Sequence, residues 1–415
     1  MRLQLRSKGL CGDADNARQL QEMPERGERE CTPGGCTLFL WADTVIAKIS
    51  DLIGIINKMA PPRLAEDWDN VGLQVGDPTA PVERILVALD PTPAAIRAAI
   101  ESSCQLLLTH HPLIFKPLKK ISAADPTASL IFQAIRNDLA VLSLHTNYDI
   151  ANDGLNDVLA ATLGVEETRP LKVTSVDDLV KLAVFVPLGH EEAVMAALFR
   201  FSCDIGAYDE CSFRGEGIGT FRPLPGAQPF MGQVGIRESV AESRLELLLR
   251  KADLAAAVKA LCAAHPYEEP AFDCYPLLNQ GESFGLGRIG LLGEAVTLGE
   301  FASTVKVRLK ASTLRLVGDP CRPVRKIALC GGSGTSLLRE AVRQGADVLV
   351  TGDVKYHDAR DAEALGVALV DAGHFATERI MAEAVADRLR IALATGSYDV
   401  SVAPFTDDND PFTAW

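Results

Sequence analysis

The sequence predicts an α/β protein in which two pseudo-equivalent α/β halves form one body and a ferredoxin-like α+β domain is inserted between them. Three observations carry that prediction. Short apolar runs of strand length alternate with amphipathic helical stretches, the pattern of a largely parallel, doubly wound sheet. One segment recurs: 85–109 reads ILVALDPTPAAIRAAIESSCQLLLT and 327–351 reads IALCGGSGTSLLREAVRQGADVLVT, equal in length and alike in strand and helix positions. Between the two copies lies a stretch of different character.

Taken in order, residues 1–41 lack any helical or strand period and are rich in charge, Gly and Pro. They are read as a disordered extension or a start-site artefact. The first half, 42–174, opens with a helix over 44–58 whose Val45, Ile46, Ile49, Leu52, Ile53 and Ile56 share a face, and Pro61-Pro62 stops it. A strand over 85–89, a helix over 93–102, a strand over 105–108, a helix over 129–137 and a strand over 140–144 follow. The last two strands run into Thr109-His110-His111-Pro112 and His145-Thr146-Asn147-Tyr148-Asp149. Ligands of open α/β sheets bind at such carboxyl ends.

The inserted domain, 175–280, reads as a strand (182–187), a helix (190–199), a Gly-rich stretch with aromatics (215–226) and an acidic stretch with room for a strand (238–249). A helix (252–265) and a strand (271–277) complete two strand-helix units, enough for a small ferredoxin-like module. The second half, 281–415, carries the repeated segment and then an apolar strand over 367–370 leading to His374. Thr351-Gly352-Asp353 thereby matches Thr109-His110-His111, and His374-x3-Glu378 matches His145-x3-Asp149.

Composition sets limits on function. The 415 residues, 47% hydrophobic and 23% charged, suit a globular chain of two or three domains. A net charge of -14 disfavours a sequence-independent grip on nucleic acid but leaves room for a local phosphate site. Ten cysteines form no pair of CxxC motifs, and Cys104, Cys262 and Cys330 read as small core residues of a reducing compartment. Cys31 and Cys36 bracket a turn with no second pair nearby, which argues against a zinc knuckle. No uncharged apolar stretch reaches 18 residues, so no membrane span is expected. Arg2, Arg6 and Lys8 have no apolar region behind them, and Asp13, Asp15, Glu22, Glu25, Glu28 and Glu30 argue against a transit peptide. The expected location is the cytoplasm.

The chemistry concentrates in few residues. Of seven histidines, His110, His111, His145 and His374 directly follow predicted strands, and Asp149 and Glu378 stand four residues beyond two of them. On an opening helix, i and i+4 share a face, so each His and its acid can converge. Imidazoles and carboxylates are the ligand set of zinc, iron, manganese or nickel. Five or six donors from four strand ends exceed what one catalytic zinc needs, and a dinuclear centre with a bridging carboxylate accounts for them better. A lone strand-end His more often caps a helix or bonds a carbonyl. The adjacent His110-His111 tells against that reading, because one strand cannot bury both rings.

Other motifs stay open. The loop 331–334 (GGSG) could present N–H groups to an anion or be a tight turn. Thr351, Asp353, Lys355, Tyr356 and His357 could orient substrate, or Asp353 could cap a helix. Asp67, Trp68, Asp69 and Asn70 form a polar loop of undetermined role. His265 with Glu268 and Glu269 is either a second metal site or, the favoured reading, Pro-flanked loop packing.

These motifs also carry a family likeness. AEDWDNVGLQVGDP (65–78), LLTHHPLIF (107–115), HTNYDIANDGLND (145–157), GGSG (331–334), TGDVKYH (351–357) and GHFATE (373–378) resemble the NIF-three-like dinuclear-metal hexamer family, whose members are often called GTP cyclohydrolase I type 2 homologues. The likeness runs from about Ile46 to the tail at 406–412, and the insert, with GIGTFRP (217–223) and HPYEEP (265–270), resembles a PII/CutA-like module. The resemblance implies metal ligation by His110, His111, Asp149, His374 and Glu378, with Glu378 bridging two divalent ions (Zn, Fe, Mn or Ni). It leaves His145 as a proton shuttle or second-layer group, or as a helix cap. It further implies a toroidal homohexamer with its metal sites facing an internal cavity.

The function expected is that of a dinuclear metal-dependent hydrolase acting on a small nucleotide-like or phosphorylated molecule. The alternative is a non-catalytic metal-binding, metal-delivery or regulatory scaffold protein.

Overall fold

The computed structural model describes residues 46–413. The extension 1–41, with Cys31 and Cys36, and the helix start at 44–45 lie outside the described residues. Along the chain the strands are β1 (Ala47–Lys48), β2 (Gly72–Val75), β3 (Pro81–Val82), β4 (Arg84–Ala88), β5 (Leu106–Thr109), β6 (Ala140–Ser143), β7 (Glu166–Pro187), β8 (Ser212–Phe221), β9 (Glu238–Arg250), β10 (Phe272–Thr297), β11 (Arg315–Val317), β12 (Pro323–Leu329), β13 (Val348–Thr351), β14 (Ala368–Asp371) and β15 (Ser401–Pro404). The helices are α1 (Ile49–Met59), α2 (Pro93–Glu101), α3 (Pro126–Arg136), α4 (Thr146–Ile150), α5 (Leu155–Leu163), α6 (Glu191–Phe199), α7 (Leu254–Ala264), α8 (Leu298–Arg308), α9 (Leu338–Arg343), α10 (Tyr356–Leu365), α11 (His374–Glu378) and α12 (Met381–Thr395). The protein is mixed α/β, as the alternation of runs predicts.

Two compact units divide the chain. The first reaches Tyr148 and takes in Leu309–Thr313 and everything from His374 onward; the second holds Asp149–Arg308 and Leu314–Gly373. In the first, the sheet order is β15-β4-β5-β6-β2, with β15, β4, β5 and β6 parallel and β2 antiparallel at the edge. Every residue of β5 and β6 is buried, which is why both read as unbroken apolar runs. The connecting helices start where short polar residues can cap them. Thr92 accepts from the Ala95 N–H ahead of Pro93, and Asp125 accepts from the Ala128 N–H ahead of Pro126. Helix α1 starts at Ile49, later than predicted, because Ala47 and Lys48 pair with β3. Ile56 is buried as expected, whereas Ile46 is exposed.

In the second unit the sheet order is β11-β14-β13-β12-β10-β7-β9-β8. Strands β12, β13 and β14 are parallel, and the remaining pairs are antiparallel. Positions 175 and 280 fall inside β7 and β10, so the chain enters and leaves the intervening region along paired strands. That region has its own core, where Leu182, Val184 and Val186 of β7 and Leu245, Leu247 and Leu249 of β9 pack with Val194 and Leu198 of α6 and Ala257 and Leu261 of α7. Cys262 departs from expectation. Helix α7 buries Ala257 and Leu261, one turn apart, which turns Cys262 out to solvent, while Cys104 and Cys330 are buried as predicted.

Arg288 holds this unit from within. At 1% exposure its guanidinium donates to both Asp157 oxygens, each at 2.7 Å, and to the carbonyls of Gly285, Gly287 and Ala151. The bidentate pair fastens β10 to α5, and the carbonyls satisfy the remaining donors of a buried cation.

Candidate metal centre

The site grows from the end of β5. Thr109, fully buried, donates its hydroxyl to the His111 carbonyl at 2.7 Å. The His110 N–H reaches the carbonyls of Ala88 and Leu89, the His111 N–H that of Leu89, and the Ser143 hydroxyl bonds the His110 carbonyl. The backbone of both histidines is therefore pinned by its neighbouring strands, and the two rings leave with centroids 5.0 Å apart. His110 is fully buried, and its Nδ1 donates to the Leu144 carbonyl at 2.8 Å. That bond assigns the tautomer and leaves Nε2 as the lone-pair nitrogen. His111 Nδ1 bonds Asp90 at 2.7 Å, which turns its Nε2 toward Glu378, 3.1 Å away.

Helix α11 supplies the rest. His374 and Glu378 are separated by one helical turn, and His374 Nε2 lies 2.9 Å from Glu378 Oε2. The other carboxylate oxygen, Oε1, is 3.9 Å from His110 Nε2. One buried carboxylate thus faces three imidazoles. His145, at the end of β6, bonds Asp69 Oδ1 through Nδ1 at 2.8 Å, and Asp69 Oδ2 accepts from the Thr146 N–H at 3.0 Å and the Thr146 hydroxyl at 2.5 Å.

Electrostatics follow from this arrangement. Burial pushes His110 down to about 3, so its ring is neutral. Burial also opposes charge on His111, but hydrogen bonds to Asp90 and Glu378, with their negative charges, outweigh it and raise its pKa to about 10. Glu378 is held below the usual carboxylate range: burial would raise it, and the hydrogen bonds from His111 and His374 prevail. Asp69 falls to about 2 against the effect of burial, through its bonds with His145 and Thr146. A position that holds a proton on His111 so firmly is one that calls for positive charge.

Among the described residues, two groups of donor atoms, each mutually within 4.8 Å, could hold a metal ion: His110, His111 and His145, and His111, His374 and Glu378. Nitrogen donors with a carboxylate suit borderline divalent ions, and carboxylates behind His111 and His145 are the usual outer support of metal-binding imidazoles. The donor set fits such an ion. Asp149 lies in the second unit, on α4, where its backbone carbonyl accepts from Asn156, and it stands in neither donor group.

Sequence reading missed Asp90 altogether and left Asp69 undetermined. The available signal for Asp90 was its place just past the end of β4, where a strand-end acid in a parallel sheet is a candidate for the site. Two of the open motifs resolve as packing. In the loop 331–334, the Gly331 N–H is bonded to Asn156, the Gly334 N–H to Thr351, and Gly332 has φ +58°, so this is a tight turn with two of its donors engaged by side chains. His265 uses both nitrogens internally, toward the Phe185 carbonyl and the Tyr267 N–H, which is loop packing.

A mixed α/β scaffold that gathers histidines around a shared carboxylate at the carboxyl ends of its strands defines a class: proteins with a site able to hold a divalent metal. Residues 47–411 match the family model described as Duf34/NIF3 (NGG1p interacting factor 3), and the chain belongs to this family. Over 369 residues it is 42% identical to the "GTP cyclohydrolase 1 type 2 homolog" of Halalkalibacterium halodurans, covering 89% of this chain and 99% of that protein. The namesake of Bacillus subtilis is 42% identical over 363 residues, 87% of this chain and 97% of its own. Among solved structures, the Bacillus cereus protein related to NIF3 superposes with a TM-score of 0.83 at 39% identity, covering 90% of this chain and 100% of the other. Staphylococcus aureus protein SA1388 reaches 0.69 at 30% identity, with 89% and 99% covered.

Proposed function

We propose that this centre holds two divalent metal ions and that the protein is a metal-dependent hydrolase of a small nucleotide-like or phosphorylated molecule. The observation that carries the proposal is Glu378, a buried carboxylate whose two oxygens face imidazoles from β5 and α11. In this reading His110, His111, Asp149, His374 and Glu378 would hold the ions, with Glu378 as the shared carboxylate. Bound divalent ions would acidify water and polarise a phosphoryl, carbonyl or ring-carbon electrophile.

The chain's own groups supply the rest. His145, with Nδ1 committed to Asp69, exchanges a proton through Nε2. Asp90 keeps the His111 ring aimed at Glu378. Trp68 stands edge-on to His145 and to Phe115, each pair of centroids 5.9 Å apart, an apolar wall for a heterocyclic substrate. The printed name of the Halalkalibacterium and Bacillus relatives, a GTP cyclohydrolase homologue, agrees with a nucleotide substrate.

The same reading covers organisation. Residues 42–174 and 281–415 are two related halves, 175–280 an inserted PII/CutA-like module, and six chains form a toroid in the cytoplasm. The separate core of the insert supports the module. Support for the halves comes from β4 and β5 pairing in parallel from Ile85↔Leu106, as β12 and β13 do from Ile327↔Val348. Light scattering should return six chain masses, and a monomer or dimer would remove the toroid.

Protein loaded with zinc, manganese or iron should hydrolyse GTP or a phosphoester, and His110→Ala should abolish that turnover. If loaded protein shows no turnover on any of these and His110→Ala leaves every assay at baseline, the hydrolase reading fails and a metal-binding or delivery role replaces it.

A further inference from the structure

The region with its own core also holds a cavity of about 720 Å³, remote in sequence from every residue of the metal centre. We propose that this cavity binds a small organic cation, an ammonium or guanidinium group on an apolar stem. Its walls are aromatic. Tyr267 meets Phe221 with centroids 5.8 Å apart and planes at 58°, and it meets Phe230 at 6.3 Å and 49°. Rings inclined at these angles make a corner. A flat heterocycle stacks between parallel faces, whereas a compact cation is held against the faces of inclined rings.

A carboxylate stands at that corner. Glu242, 8% exposed, lines the cavity and accepts the Tyr267 hydroxyl at 2.9 Å. Burial and the adjacent Glu242 raise the Tyr267 pKa, so the phenol stays protonated as donor. The other Glu242 oxygen occupies space over Gly219, where a Cβ would lie 1.9 Å from it, so a larger residue there would displace the carboxylate. Glu268 and Glu269 also line the cavity, against Arg222 as the one cationic side chain among the lining residues. Glu268 accepts the Gln228 N–H at 2.9 Å through one oxygen, as Glu242 accepts the Tyr267 hydroxyl, and Glu269 adds a third carboxylate.

The alternatives fit less well. An anion would face three carboxylates across a single arginine. A hard metal ion asks for a shell of oxygens, and here the polar groups are interrupted by rings. A buried carboxylate beside aromatic faces is the arrangement that compensates a desolvated ammonium or guanidinium.

Titration calorimetry on the full chain, with agmatine and choline as probes and glutarate as the anionic control, tests this. Agmatine or choline should bind saturably at one site per chain. Glu242→Gln, which keeps the shape and the Tyr267 bond, should weaken binding at least about 10-fold, and Tyr267→Leu comparably. His111→Ala should leave it unchanged. No saturable binding of either cation, equal binding by Glu242→Gln, or tighter binding of glutarate would each overturn the proposal. Should Glu242→Gln fail to fold, Glu269→Gln at the exposed rim decides in its place: a several-fold loss supports the site, and no loss refutes it.

Discussion

The ends of β5 and β13 begin alike. Each is a fully buried parallel strand, and each finishes in a buried threonine, Thr109 or Thr351. Both threonines donate their hydroxyl to a loop carbonyl, Thr109 to that of His111 in its own turn and Thr351 to that of Gly332 in the loop after β12. After that the two diverge. The first continues into His110-His111 and an Asp90-supported donor cluster; the second continues into Gly352-Asp353, beside a loop whose Gly331 and Gly334 N–H groups are bound internally. The difference teaches that the strand–helix–strand frame sets where a site can be, and two residues past the strand decide whether one exists.

The sharpest way to break that comparison is to remove the carboxylate that the β5 histidines share and, separately, the acid that follows β13. Glu378→Ala should bring bound metal below one ion per chain by elemental analysis, while Asp353→Ala should leave the metal content unchanged. Equal losses would mean that both strand ends contribute. Next in size is a stability effect confined to the second unit. Arg288→Ala leaves Asp157 without its partner and should cost about 3–5 kcal/mol in denaturant unfolding. A loss below about 1 kcal/mol would show that the pair is replaceable.

Smaller effects should come from the carboxylates that back the histidines. Asp90→Asn and Asp69→Asn are each expected to weaken metal affinity about 10–100-fold by competition with a chelator, without a change in fold by circular dichroism. The pH dependence is subtler. His111 rises from 6.5 to about 10 in the folded chain, so its contribution to metal-free stability is complete below about 6.5 and is lost as pH climbs through about 10. The melting midpoint of chelator-treated protein should fall across that window, and fall less in Asp90→Asn. A flat profile would show that His111 carries no such charge.

Much of this was legible in the order of residues. Fully buried strands such as Leu106–Thr109 announce themselves as apolar runs, and His110, His111, His145 and His374 stand out because they follow such runs directly. Glu378 was legible through the i, i+4 spacing that a helix turns into a shared face. Asp69 and Asp90 were not, because each is a single acid whose partner lies 76 or 21 residues away, and no local period links them. Strand β8 was hidden for another reason. Its Gly215, Gly217 and Gly219 mark only a Gly-rich stretch in the sequence, yet in the sheet Gly219 makes room for the Glu242 carboxylate of the neighbouring strand. Glycine there answers to a side chain across the ladder, which no reading along one strand reveals.

The first compact unit is assembled from both ends of the chain, and His111 meets His374 across 263 intervening residues. At about 5–20 residues per second of synthesis, the histidine pair leaves the ribosome roughly 13–50 seconds before α11 exists. A metal ion captured during that interval would find imidazoles and no Glu378. Synthesis of α11 is therefore the event that licenses the centre, and a product truncated before it can neither hold the full donor set nor imitate the finished site.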